Sequence, residues 1–212
     1  RPVAGLVAER ARNTALLALV ALLAATLVGL PLGVVAGSRT GLVSSAIRSA
    51  SLLALSLPSL ISSLVLVFIA ARTGWLPTGG MTSADAAASA GLLAHFSDVL
   101  WHLILPATAL ALPLAATLER LQAQATSEAL GEPFVAAAAA RGVSPRRLLW
   151  RHALKPALRP VVAIYGLVLG SLLSGSFVVE IVTAWPGLGR LMFDALRSRD
   201  LYLVAGCAAA GG

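Results

Sequence analysis

The amino-acid sequence predicts an all-α fold, a polytopic bundle of transmembrane helices. Hydrophobic residues make up 58% of the 212 residues, charged residues only 12%, and the mean hydropathy is +0.88. Soluble domains are about 25% charged, and one of this length could not bury so much apolar surface. Intrinsic disorder is excluded because disordered chains are poor in apolar residues. The single cysteine, Cys207, excludes a disulfide within the chain.

Stretches without Asp, Glu, Lys or Arg locate the spans at residues 13–38, 49–71, 99–118 and 160–179. Each supplies the roughly 20 residues that a helix needs to cross a bilayer, and a helix satisfies its own backbone groups in lipid. A fifth apolar stretch, residues 201–212, has only 12 residues. We therefore expect four complete spans and one truncated span. Residues 1–212 would form a single transmembrane domain, a fragment that lacks a first helix and the end of the last.

Prolines and small residues within these stretches predict how the helices pack. The prolines should kink the spans rather than break them, since neighbouring helices can satisfy the freed backbone groups; they are Pro31, Pro58, Pro106 and Pro113. Small residues that permit close helix contacts include Gly29, Gly33, Gly166, Gly170 and Ser174. The pair Gly166 and Gly170 could serve general packing or a dedicated face for a second subunit.

The basic residues are concentrated between two of the spans. The net charge is +7, and seven of the 16 Lys and Arg residues lie between Glu119 and Pro160. Such a bias indicates a cytoplasmic loop of a membrane protein and argues against nucleic-acid binding. Four of these residues recur at every fourth position and would share one helical stripe: Arg147, Arg151, Lys155 and Arg159. The stripe could face anionic headgroups or form salt bridges with another subunit.

Glycine and proline residues divide this cytoplasmic loop, residues 119–160, into short helices. The third span should continue as a helix to Gly131, and Pro133 suits the first position of a new helix. This helix would cover residues 134–141 and end at Gly142, after which Ser144 would cap a further helix. A two-turn helix held between two membrane supports could fit a groove on a partner, or it could be a plain interfacial loop.

Several stretches of this chain resemble the permease subunits of ABC importers. The cytoplasmic signature of that family is similar to residues 134–147 followed by residues 151–158, and its dipeptide/oligopeptide/nickel branch is the most similar. Further motifs of the family follow in its order at residues 57–59, 74–77, 179–180 and 184–190. The signature's glutamate is replaced by Ala136, so that charged contact with an ATPase is absent here. The resemblance implies a helical bundle of the ABC importer permease type.

The resemblance also implies a function and a set of partners. The chain would be a permease subunit that moves di- or oligopeptides across the inner membrane of a bacterium or archaeon. It would work with a second permease subunit, two ATPase subunits that bind ATP and Mg, and an external substrate-binding protein. The helix docked on the ATPase would include Phe134, Val135, Ala137, Ala138, Arg141, Gly142, Val143 and Ser144. The translocation path or gate would include Pro58, Ser59, Trp185, Pro186, Gly187 and Gly189.

The sequence leaves two other functions open. One is a permease for nickel or another small solute. The other is an intramembrane hydrolase with His95, His102 or His152 as its base, where Asp98 lies one helical turn before His102. We expect no catalytic site, no metal site and no bound cofactor in this chain. Its only lysine, Lys155, is followed by proline, so the chain lacks a P-loop for ATP.

Two glutamates lie at the borders of predicted spans. Glu119 follows the third span and Glu180 follows the fourth. A position at the edge of a span favours contact with water, whereas a charge inside the membrane would indicate a functional site. We expect water contact for both.

Overall fold

The computed structural model describes residues 3–83 and 91–211, and within these ranges the chain forms helices, turns and short connections without a β-strand. The helices are α1 (Val3–Ser38), α2 (Leu42–Ser56), α3 (Ser59–Thr73), α4 (Leu92–Gly131), α5 (Pro133–Ala140), α6 (Pro145–Arg147), a π-helix (Leu148–Ala153), α7 (Leu154–Ala163), α8 (Tyr165–Val182), α9 (Leu188–Ser198) and α10 (Leu201–Gly211). The all-α prediction is therefore confirmed.

Among the described residues, α1, α4 and α8 are each long and apolar enough to cross a membrane. The second predicted span consists of two helices, α2 and α3, which pass the same test only as a bent pair. This gives three spans, or four when the broken pair counts as one. The fourth predicted span starts later than expected: its first residues belong to α7, and a turn at Ile164 separates them from α8.

Proline has two different outcomes in these helices. Pro31 lies inside α1, and Pro106 and Pro113 lie inside α4, as the sequence predicts. Pro58 instead ends a helix, so the expectation of a kink there is wrong. Proline sterically disfavours helical geometry in the residue before it, and Leu57 is extended, with φ −99° and ψ 108°. α2 therefore ends at Ser56, and α3 begins at Ser59.

The chain divides into two compact units. The first unit contains the described residues of Arg1–Leu22, Pro58–Ala111 and Gly170–Gly212. Its core includes an apolar cluster of Val7, Leu188, Leu191 and Cys207. Cys207 is fully buried in this cluster, where it packs as a small apolar residue. The second unit contains Leu23–Leu57 and Leu112–Leu169, and it includes the whole of the predicted cytoplasmic loop.

In the second unit, α1 packs closely against α4 through glycines spaced four residues apart. A Cβ atom added to Gly29 would lie 2.6 Å from the Ala115 carbonyl oxygen, and one added to Gly33 would lie 2.5 Å from the Glu119 carbonyl oxygen. The third member, Gly37, lies equally tightly against α4. Only residues without a side chain let two helix backbones approach so closely. This contact confirms the expected role of Gly29 and Gly33.

Candidate functional site

The short helix α5 begins and ends one residue earlier than the predicted residues 134–141, and Pro133 and Gly142 mark its two ends as the sequence predicts. Glu132 is extended at its N-cap and Pro133 occupies the first turn. At the other end Gly142 has φ +82°, a left-handed conformation that glycine adopts without strain. The Val143 and Gly142 amides donate to the carbonyl oxygens of Ala138 and Ala139, at 3.3 and 2.9 Å. These two bonds form a Schellman motif and satisfy the carbonyl groups at the helix end.

The side chains of α5 divide into an inner and an outer set. Val135 and Ala138 are buried, and the helix contacts the π-helix of the same unit. Phe134 is 48% exposed, a large fraction for a phenylalanine side chain. The other predicted docking residues at the surface are Ala137, Arg141, Gly142 and Ser144, while Val143 is half-buried. Val135 and Ala138 thus attach α5 to its own chain, and Phe134 is the one large apolar side chain that α5 presents outward.

The helical stretch after α5 is fixed to α4 by alanines. Ala153 and Ala157 form a buried cluster with Ala125 and Ala129 of α4, and Leu130 packs against it. The helical stretches that flank α5 in the chain are therefore packed against each other. The sequence gives no indication of the π-helix, a form that often occurs at functional positions.

The basic stripe is exposed along its whole length. Arg147, Arg151, Lys155 and Arg159 are all exposed. Buried residues on the same helical stretch, Ala153, Ala157 and Val161, also recur at every fourth position. The stripe therefore lies away from the face that packs on the chain.

Trp185, a predicted gate residue, is fully buried in the first unit. Its indole N–H donates to the Asn13 carbonyl oxygen at 3.1 Å, and the Asn13 side-chain amide donates to the Pro186 carbonyl oxygen at 2.8 Å. The turn of residues 184–187, the Trp185 turn, is thereby fixed to α1. The sequence does not indicate the contact of Asn13 with Trp185, because these two residues are 172 positions apart in the chain.

Glu180 lies at the centre of the same region and is fully buried. Its carboxyl group accepts hydrogen bonds from the Thr14 hydroxyl at 2.6 Å and from the Gly189 amide at 2.7 Å. It therefore satisfies an amide in the first turn of α9, which has no partner within that helix. A Cβ atom on Gly187 would overlap the Glu180 carboxyl group, and a Cβ atom on Gly189 would overlap the Phe177 backbone. The expectation of water contact for Glu180 is wrong.

Glu119 is also buried, with 1% of its surface exposed, so the same expectation is wrong for it. It lines a cavity of about 850 Å³ within the second unit. Residues of α2 and α4 form its walls: Arg48, Leu52, Leu55, Thr117, Glu119, Arg120, Leu121, Ala123, Gln124, Ser127 and Glu128. Of these residues, the sequence singles out only Glu119 as a possible functional group. The others come together because α2 packs against α4, a tertiary contact that the sequence does not indicate.

Among the described residues, His102, Asp98 and Ser83 do not form a catalytic arrangement. His102 Nδ1 lies 3.4 Å from an Asp98 carboxyl oxygen and 2.9 Å from the Asp98 carbonyl oxygen. The Ser83 hydroxyl donates to the Asp98 carboxyl at 3.0 Å, not to the imidazole that would have to activate it. The Ser83 amide donates to the same carboxyl at 2.7 Å. Asp98 therefore anchors Ser83 to α4, which is a structural role.

Pro58 and Ser59, the other predicted path residues, lie at the break between α2 and α3. Pro58 is exposed and Ser59 is half-buried. Within residues 3–83 and 91–211, no three His, Cys, Asp or Glu side chains come together as metal ligands would.

Known proteins match this chain over most of its length. The family described as the inner membrane component of binding-protein-dependent transport systems matches residues 29–212. The oligopeptide transport system permease protein AppB of Bacillus subtilis is 34% identical over 205 residues, which are 96% of this chain and 63% of that protein. The di/tripeptide transport system permease protein DppB of Pseudomonas aeruginosa is 34% identical over 202 residues, 89% of this chain and 60% of that protein. The chain thus spans less than two thirds of these relatives. It belongs to the family of inner membrane components of binding-protein-dependent transport systems.

Proposed function

We propose that this chain is a permease subunit of an ATP-driven importer that moves di- or oligopeptides across the inner membrane of a bacterium or archaeon. Membership of the family supports the transport role, and the names of the relatives above support peptides as the substrate. The observation that carries the proposal is the geometry of α5, a short helix with an exposed Phe134 on a rigid support.

This geometry suits the transfer of motion from a partner to the membrane helices. Phe134 would enter a cleft on an ATPase subunit, where burial of its exposed half would contribute about 0.7–1.5 kcal/mol, half of the value for a whole side chain. Val135, Ala138 and the alanine cluster join α5 to the helices that it would move. Movement of the ATPase subunits on binding and hydrolysing ATP with Mg would then shift these helices as a rigid body.

The break at Pro58 is the best candidate for part of the translocation path. Irregular backbone at membrane depth occurs where it is buried in protein or lines a water-filled cavity, because lipid cannot satisfy its polar groups. Leu57 and Pro58 are both exposed in this chain. The path between this subunit and a second permease subunit would provide the required surroundings, with Pro58 and Ser59 on its wall.

The Trp185 turn would lie on the outer side of the membrane, near the external substrate-binding protein. Trp185, Gly187 and Gly189 are buried, and Pro186 is half-buried. A gate role for these residues would therefore be that of a rigid frame that sets the position of α9. Gly166 and Gly170 of α8 are exposed, and a Cβ atom on either would meet nothing within 4 Å. We assign them to contact with the second permease subunit.

The substitution Phe134→Asp tests the docking role. A charged side chain in an apolar cleft would lose the burial energy and carry a desolvation cost. We expect ATPase subunits to co-purify at a tenth or less of the wild-type level, which corresponds to a loss of about 1.4 kcal/mol or more in binding free energy. Membrane insertion should be unchanged. Phe96→Asp is the control, since Phe96 is also exposed but lies outside the cytoplasmic loop. Unchanged co-purification with Phe134→Asp would contradict the docking assignment.

A further inference from the structure

We propose that the cavity beside Glu119 is a peptide-binding subsite, in which the Glu119 carboxylate binds the free amino terminus of the transported peptide. This inference rests on the proposed transport of peptides and names the group of the substrate that the permease recognises. It concerns the second unit alone, where α2 and α4 form the cavity walls.

The first observation is the buried carboxyl group of Glu119. Both of its carboxyl oxygens are buried, and neither has a hydrogen-bond partner among the residues that the structure describes. A buried polar group without a hydrogen-bond partner is costly, so an unpaired group in a native protein needs an explanation such as a water, an ion or a ligand that supplies the partner. A cationic donor from outside this chain would satisfy Glu119.

The second observation is the cavity itself. Its volume of about 850 Å³ lies within the range of ligand-binding pockets, roughly 300–1,000 Å³. Leu52, Leu55 and Leu121 give it apolar walls that can contact peptide side chains without selecting among them. Thr117, Gln124 and Ser127 add neutral polar groups that can bond to a peptide backbone. The walls thus suit a molecule that is amphipathic and variable in its side chains.

The third observation is the arrangement of charge around the cavity. Two acidic residues, Glu119 and Glu128, and two basic residues, Arg48 and Arg120, line it. Glu128 already accepts a hydrogen bond from Gln124 at 2.9 Å, and Arg48 donates to the Ala36 carbonyl oxygen at 3.0 Å. Glu119 is therefore the acidic residue that is left to bind a cation.

A peptide with free termini carries both charges that this cavity complements. Its ammonium group supplies three donors for the Glu119 carboxylate, and the guanidinium groups of Arg48 and Arg120 attract its carboxylate. A sugar lacks both charges, and a metal ion would use neither the basic residues nor the apolar walls. The free ammonium group is the feature that Glu119 would select.

The test is peptide binding to the complete transporter, reconstituted in nanodiscs with its ATPase subunits but without the external binding protein. The probes are dialanine and N-acetyl-dialanine, which differ in the charge of the amino terminus. We expect the wild type to bind dialanine at least about tenfold more tightly, the usual scale for one charge-assisted hydrogen bond. Glu119→Gln should lose this preference by weakening dialanine binding alone. The control Glu9→Gln, at an exposed glutamate of the first unit, should retain it.

Several outcomes would overturn the subsite. They are undetectable binding of dialanine to the wild type at millimolar concentration, equal binding of the two probes, and an unchanged preference in Glu119→Gln. The wild-type measurements keep the proposal testable even if Glu119→Gln fails to assemble. ATP-driven uptake of dialanine with the binding protein present tests the proposed function separately. Uptake without a preference in binding would overturn only the subsite, whereas absent uptake would overturn the peptide-transport function itself.

Discussion

Glu119 and Glu180 show how the surroundings of a residue decide its role. Both are buried, and both follow an apolar stretch of the sequence. Glu180 has two strong donors, the Thr14 hydroxyl and the Gly189 amide. Glu119 has no partner within the described residues and lines a cavity. We therefore assign Glu180 a role in stability and Glu119 a role in ligand binding, although the sequence predicts water contact for both residues.

The substitution Glu180→Gln should destabilise the permease. Glutamine has one acceptor oxygen, so its NH₂ group would face either the Gly189 amide or the Thr14 hydroxyl, and one donor would lose its partner. We expect a loss of about 1–3 kcal/mol, measured by thermal unfolding of the detergent-solubilised protein. Glu9→Gln makes the same chemical change at an exposed site and should leave the melting temperature unchanged. Equal melting of the two variants would show that Glu180 does not hold the Trp185 turn.

At the scale of helices, glycine has opposite consequences in α1 and α8. Gly29, Gly33 and Gly37 bring the α1 backbone against α4, whereas Gly166 and Gly170 have open space beside them. Both sets show the same four-residue spacing in the sequence. The spacing predicts that a helix has a smooth face, but it does not identify what covers that face. The neighbours in the tertiary structure make this distinction.

Substitution of one glycine in each helix tests this difference. A Cβ atom at position 33 would lie 2.5 Å from the Glu119 carbonyl oxygen, so Gly33→Ala must push α1 and α4 apart. We expect a loss of about 1–3 kcal/mol in stability, the usual cost of overpacking. Gly170→Ala should not lower the stability of the isolated subunit, because alanine favours a helix and meets nothing there. A similar loss in both variants would mean that the α1–α4 contact is not as close as described.

At the scale of the whole molecule, the charge distribution predicts which side of the membrane each loop occupies. The positive charge of residues 119–160 predicts that this loop lies in the cytoplasm, in which case the segment after α3 would lie outside. This orientation is required if α5 is to meet ATPase subunits and the Trp185 turn is to meet an external protein.

Labelling of single cysteines tests the orientation. Cys207, which is buried, would be replaced by alanine, and a cysteine would be placed at Thr78 or Ser144, both exposed. A membrane-impermeant maleimide added to intact cells should label Thr78→Cys and not Ser144→Cys. Inverted membrane vesicles should give the reverse pattern. Labelling of Ser144→Cys from outside the cell would refute the orientation and, with it, the docking of α5 on an ATPase.

The sequence by itself determined the all-helical membrane fold and the ends of α5, because both depend on local chemistry. Apolar length decides whether a helix can cross lipid, and Pro133 and Gly142 fix helix ends through their own backbone geometry. The break at Pro58 depends on the same local chemistry, yet the sequence could not distinguish it from the tolerated prolines at 31, 106 and 113. Only the tertiary structure decided that Glu180 accepts hydrogen bonds from Thr14 and Gly189. It also decided that α4 covers Gly33, that Gly170 has open space beside it, and that Glu119 borders a cavity. These features arise from residues far apart in the chain, whose contacts depend on how the helices pack.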